Sequence, residues 1–182
     1  MTRSGHPAAP MPPPLSGQWR PMQAEDLPAV EALAARLHPG CPERRTVLEE
    51  RQTLCPAGCL VLPDPAAGVG GYVLSHPWRM ASPPALDTYL RHLPERADCW
   101  YLHDIAIASH LRGRGDMHAA LRIMTAQARR QGVAWLALMA AEGARAVWAH
   151  MGFTPIAGIP PHVTRSYGPD ACPMRRAIPP AP

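Results

Sequence analysis

Lysine and asparagine are absent from this 182-residue chain, and phenylalanine occurs once, at Phe153. All 18 basic residues are therefore arginine, set against 14 acidic ones for a net charge of +4. Without lysine no G-x-x-x-x-G-K-[ST] loop can be built, which excludes the P-loop nucleotide-binding classes. No apolar run approaches the ~18 residues that a membrane span requires. The start MTRSGHPAAP has no apolar signal core, so a cytoplasmic protein with no membrane partner is expected. The five cysteines (Cys41, Cys55, Cys59, Cys99 and Cys172) are an odd number, and free reduced thiols are the expectation. Cys55 and Cys59 have near-ligand spacing but no second pair, so no metal is expected. The arginines are scattered, which speaks against a nucleic-acid partner. The missing residues use AT-rich codons, so a GC-biased genome explains an absent Lys or Asn before a lost role does.

Proline, alanine and glycine are plentiful. Residues 1–17 carry five prolines and read as a disordered or polyproline arm, residues 18–178 as one domain, and residues 179–182 as a short tail. A first helix is expected behind Asp26, with Leu27, Val30, Leu33, Ala34 and Leu37 as its apolar stripe, ending at His38-Pro39-Gly40. A second runs from Pro42 toward Leu54. The period then changes, and residues 59–62 and 69–75 read as a hairpin. Residues 76–98 form a long proline-punctuated excursion with one helical turn around 86–93, a candidate substrate-covering segment. Residues 100–108 read as a strand, a helix opens at Asp116 and closes at Gly132, and a strand follows over 133–140. A short helix with Ala144, Val147, Trp148 and Met151 on one face precedes strands near 154–159 and 172–178. This succession is an α/β pattern.

The chemistry is expected between Leu102 and Leu121. A strand runs through Ser109-His110-Leu111-Arg112-Gly113-Arg114-Gly115 into a helix start, leaving backbone N–H groups without intrahelical partners. With the positive end of the helix dipole, that arrangement binds phosphate, and Arg112 and Arg114 add charge. Asp116 is a candidate cap. The bland alternative is a plain tight connection. The dinucleotide fingerprint G-x-G-x-x-G is not met, because Gly113-Arg114-Gly115 is followed by Asp116, Met117 and His118.

Arg112-Gly113-Arg114-Gly115-Asp116-Met117 resembles the Q/R-x-x-G-x-G/A signature of the GCN5-related N-acetyltransferase (GNAT) superfamily, departing at Met117, where the family has a small residue. The short helix ending in Gly152-Phe153 is a second marker. Gly70–Trp78 followed by Tyr101–Ile107 looks most like the arylalkylamine (serotonin) acetyltransferase branch and its bacterial relatives. The resemblance covers most of residues 18–178. It implies a single α/β (α+β) domain with a central mixed, mostly antiparallel sheet, flanked by helices and splayed at its central strands.

It also implies acetyl-CoA as co-substrate, held by Ile105, Ala106, Ile107, Arg112, Gly113, Arg114, Gly115, Asp116, Met117 and Trp148. The acetyl group passes directly to a primary amine of a small molecule, arylalkylamine or polyamine-like. His103 falls where the branch has the His that removes the amine proton, and its type titrates near neutral pH. The alternative is that His103 only hydrogen-bonds a strand neighbour. Tyr101 stands where a second family His falls; because Trp148 replaces the usual Tyr, the thiolate is expected either to leave unprotonated or to take its proton from Tyr101 or water. Asp104 is expected on the opposite strand face unless the strand bulges. A backbone N–H near Ile105–Ile107 would polarise the thioester oxygen. Tyr72, Trp78 and Trp100 are candidate walls of the acceptor pocket; Glu95, Asp98 and Asp104 would instead suit a polyamine. A silent acyl-CoA-binding module and a protein or peptide acetyltransferase are the alternatives, with a monomer or homodimer expected.

Overall fold

The computed structural model describes residues 18–141 and 143–179. The expected arm over residues 1–17 lies outside them, as do residues 180–182 of the tail. Along the chain run β1 (Arg20–Pro21), α1 (Leu27–Leu37), α2 (Arg45–Leu54), β2 (Cys59–Asp64), β3 (Gly68–Trp78), β4 (Cys99–Ile107) and α3 (Asp116–Arg130). They are followed by β5 (Trp135–Ala140), α4 (Arg145–His150), β6 (Thr154–Pro155), α5 (Pro161–Ser166) and β7 (Cys172–Ala177). The strands form one seven-stranded sheet in the order β1-β2-β3-β4-β5-β7-β6, antiparallel except between β4 and β5.

Period-two alternation sends strand side chains to two cores. Val61, Tyr72, Leu74 and Ala106 meet Val30, Leu33 and Leu48 of α1 and α2 on one face. Leu60, Val73, Leu102, Leu136 and Leu138 meet Ala120, Leu121, Met124 and Ala128 of α3 on the other. The helical stripe of α3 thus closes one layer and that of α1 the other, giving the single α/β domain expected.

Two details of the sheet position the site. Between β3 and β4, Leu74 faces Asp104 while Ser75 faces Leu102, so His103 is an extra residue on β4, a β-bulge. Between β4 and β5 only Trp100, Tyr101 and Leu102 find partners, after which the two parallel strands diverge. Beyond that point the β5-facing edge of β4 is open.

Several boundaries differ from expectation. Asp26 holds the N-cap position of α1, but its side chain bonds no N–H of that helix: as the third residue of the 3-10 turn Ala24–Asp26 its carboxylate accepts the Gln23 N–H at 2.8 Å and pairs with Arg20 at 2.7 Å. The turn of helix around 86–93 does not form; this stretch has neither helix nor strand, and Asp87 and Arg91 adopt positive φ. The strand expected over 154–159 pairs only at Thr154–Pro155. Pro161, at the first position of α5, is pre-set for helix and ends the extended run.

Candidate active site

The divergence of β4 from β5 opens a groove of about 630 Å³. Ile105, Ala106 and Ile107 line one side, and Val147 and Trp148 of α4 with Met151 just past it the other. Its head is the loop into α3, where Gly113 (φ +79°) and Gly115 (φ +84°) take left-handed backbone. An added Cβ at either would meet nothing within 4 Å, so backbone conformation and not crowding calls for glycine. Gly115 is the N-cap of the 15-residue α3, which turns the unpaired N–H groups of its first turn toward the groove. Asp116 is therefore the first helical residue and not the cap; its backbone carbonyl accepts the Trp19 indole N–H at 2.9 Å.

The structure brings the expected coenzyme residues Ile105, Ala106, Ile107, Arg112, Gly113, Gly115, Asp116, Met117 and Trp148 to this one groove. Arg114 points elsewhere. It lines an adjoining cleft of about 270 Å³ with Asp64 and His110, whose side chains pair at 2.8 Å. The apolar walls, the glycine head and the exposed Arg112 suit a thioester arm ending in a pyrophosphate. Trp148 packs edge-on to Phe153, with ring centroids 5.2 Å apart, as a wall of the groove.

A second, smaller cleft of about 50 Å³ adjoins the first, and His38 borders both. His103 and Asp104 line it together, because the bulge puts these consecutive residues on one face. Asp104 is thus not on the opposite side of the strand. Its carboxylate accepts the Tyr72 hydroxyl at 2.5 Å and lies 3.4 Å from His38 Nε2.

His103 Nε2 is 2.9 Å from both carboxylate oxygens of Glu43. Arg51 stands behind, fully buried, with its guanidinium 3.8 Å from Glu43. Burial alone would raise the Glu43 carboxyl, but the charge and hydrogen bond of His103, then Arg51, outweigh it and hold Glu43 down at about 2. A carboxylate therefore faces His103 at every working pH. It fixes the proton on Nε2 and leaves Nδ1, which has no hydrogen-bond partner, as the free lone pair.

Glu43 has no counterpart in the sequence reading. It lies 60 residues from His103, in Pro42-Glu43-Arg44-Arg45, where it resembles an ordinary helix-start acid.

Besides Arg114, four expected residues, Trp100, Trp78, Tyr101 and Tyr72, line neither cleft. Trp100 alternates to the α3 face, where its indole donates to Ser75 Oγ at 2.9 Å. Trp78 sits past the bulge and lines a separate cleft of about 340 Å³ with Arg79 and Glu95. Tyr101 is 1% exposed, and burial pushes its phenol well above the usual range, so this candidate proton donor has neither access nor acidity. Its hydroxyl faces that of Tyr167, and Nε2 of the neighbouring His76 is buried without a hydrogen-bond partner. Tyr72 reaches the acceptor cleft only through the Asp104 carboxylate. Among the described residues no three His, Cys, Asp or Glu side chains converge as a metal site, and no helix is long and apolar enough to cross a membrane.

Solved structures share this fold at low identity. Ard1 from Thermoplasma volcanium matches with a TM-score of 0.68 at 15% identity, over 91% of this chain and 100% of that one. The GNAT-like decarboxylase GphF, solved with isobutyryl-CoA, matches at 0.70 and 18%, over 89% and 100%. The ribosomal-protein-S18-alanine N-acetyltransferase from Escherichia coli matches at 0.60 and 18%, over 91% and 96%. Among curated proteins no significant match is found. A family model described as acetyltransferase (GNAT) matches residues 27–153, which takes in both helices before the sheet, the bulge, the glycine loop and the closing Gly152-Phe153. The chain belongs to the acetyltransferase (GNAT) family and is an acyltransferase.

Proposed function

We propose that this acyltransferase moves the acetyl group of acetyl-CoA directly to the primary amine of a small molecule, with His103 as the base. The observation that carries the reading is the His103–Glu43 pair lining a small acidic cleft next to the groove. An amine is protonated at neutral pH and must lose a proton before its nitrogen can attack. Asp104 and Glu43 draw the ammonium in, and its proton passes through a water to the buried His103 Nδ1 while Nε2–H stays on Glu43. The amine nitrogen then bonds to the thioester carbon and the carbon–sulfur bond breaks. Among the described residues His38 is the one side chain common to both clefts, so it is the group suited to return a proton to the thiolate.

In the groove, Arg112 and the first-turn N–H groups of α3 take the pyrophosphate, and the open edge of β4 near Ile105–Ile107 offers N–H groups to the thioester oxygen. The position of His103 supports kinship with the arylalkylamine branch. A 50 Å³ cleft suits the amino end of a small molecule better than a folded protein's terminus.

Titration calorimetry with acetyl-CoA, followed by a thiol-release assay over an amine panel, tests the reading. His103→Ala should lower kcat by roughly 10²-fold or more and leave acetyl-CoA affinity unchanged. Unchanged turnover removes His103 from the mechanism, and acetyl-CoA binding without turnover of any amine leaves a silent acyl-CoA module.

A further inference from the structure

The acceptor cleft is bordered by a segment that serves no catalytic step described so far. Leu86 lines the cleft beside Met139 and Tyr167. It is carried by residues 84–91, a strap with neither helix nor strand. One end is tied to the α5 region, where the Tyr167 hydroxyl donates to Pro84 O at 3.0 Å and the Leu86 N–H donates to Ser166 Oγ at 3.0 Å. The other end is tied to α2, where Glu50 accepts the Leu90 and Arg91 N–H groups at 2.6 and 3.0 Å. The middle is latched by Arg44, whose guanidinium donates to the Asp87 carboxylate and carbonyl at 2.8 Å each. The Asp87 N–H also donates to Glu43 Oε1 at 3.2 Å, the same oxygen that meets His103. Strap and base therefore share one carboxylate.

Size then decides what can enter. The cleft holds about 50 Å³, while one water takes ~30 Å³ of liquid. An unbranched aminomethyl group fits such a space; a branch or ring next to the nitrogen does not. We propose that Leu86 is a specificity-determining residue, held over the cleft by the Arg44–Asp87 latch, which restricts the acceptor to amines on unbranched methylene arms. This rests on the acetyl-transfer reading above. Alkyl or aryl bulk further along the arm lies outside the cleft and is tolerated. The Arg44–Asp87 latch and the Arg91 tie to Glu50 are exposed polar contacts, each individually weak, so this part of the strap can give way to admit an arm without unfolding its surroundings.

The test compares n-butylamine with sec-butylamine, which differ in branching at the carbon bearing nitrogen. Wild-type protein should favour n-butylamine at least tenfold in kcat/KM. Leu86→Ala should shrink that preference severalfold, mainly through a lower KM for the branched amine, with acetyl-CoA affinity and Tm little changed. Asp87→Asn, which weakens the latch and keeps Leu86, should move the preference in the same direction by less. A folded Leu86→Ala protein that keeps the wild-type preference overturns the proposal, as does a wild-type protein indifferent to branching. If neither amine is acetylated, the acetyl-transfer reading falls on its own. The Leu86 assignment is then decided by NMR titration of both amines into wild-type and Leu86→Ala protein, read at the Met139 methyl: a selective gain of sec-butylamine binding supports it, and equal binding to both proteins overturns it.

Discussion

His103 and Glu43 illustrate how one pair of side chains can carry both a reaction and part of the fold. Glu43 is 6% exposed at its side chain and faces the imidazole and the fully buried Arg51 together. Removing its charge by Glu43→Gln takes the counter-charge from any imidazolium formed in turnover. Turnover should fall at least about tenfold as the tautomer is no longer enforced. The same change strands Arg51 without its carboxylate, and breaking a buried pair costs about 3–5 kcal/mol. Turnover measured alongside a urea titration separates the two effects. A folded Glu43→Gln protein with wild-type turnover would mean that Glu43 serves stability alone.

At the scale of elements, the loop from Arg112 to Gly115 does its work through backbone and the bulge through register. The glycine loop was legible in sequence because left-handed residues before a helix carry a compositional mark, and both glycines adopt that conformation. The bulge was not, since nothing in Leu102-His103-Asp104 records that an extra residue enters the ladder; pairing with β3 imposes it. That one residue turns Asp104 from a back-face side chain into a wall of the acceptor cleft. Arg112 and Arg114 separate at this scale as well. Arg112 lines the groove, with its Nε–H on the Ile107 carbonyl at 3.0 Å, whereas Arg114 faces the neighbouring cleft. Arg112→Ala should weaken acetyl-CoA binding about tenfold and flatten its salt dependence, as loss of a charge-assisted phosphate contact requires. Arg114→Ala should do so by less. Calorimetry at two ionic strengths checks both, and an Arg112→Ala protein with the wild-type salt slope would take that residue out of the anion cradle.

For the whole molecule, acid sensitivity is set by groups held inside. Burial pulls His76 down to about 3 from an ordinary 6.5, with the charge of His103 contributing. Glu43 sits at about 2 against 4.5. Both folded values lie below the unfolded ones, so the unfolded chain binds more protons and stability falls as pH drops. The His76 contribution is complete above 6.5 and is lost from there toward 3; that of Glu43 is lost between 4.5 and about 2. Each group contributes a slope of about 1.4 kcal/mol per pH unit inside its window. Urea unfolding between pH 7 and 5 should therefore show stability falling for wild type and a flatter course for His76→Leu. Equal slopes would show that His76 is not the residue responsible.

The sequence by itself determined the order of the main helices and strands from α1 to α4, though not β1 or α5, together with the two-sided apolar alternation of the sheet and the glycine loop at the head of α3. These are local properties: periodicity, proline and glycine placement, and side-chain type act over a few residues. The absence of lysine belongs with them, since it removed one whole class of phosphate loop and left arginine and backbone N–H groups for the task. Only the tertiary structure decided which side chains meet. It joined Glu43 to His103 across 60 residues, turned Trp100 into the core and brought Leu86 over the acceptor cleft. Such contacts follow from ladder register, from the bulge and from the divergence of β4 and β5, none of which leaves a mark within a short stretch of chain.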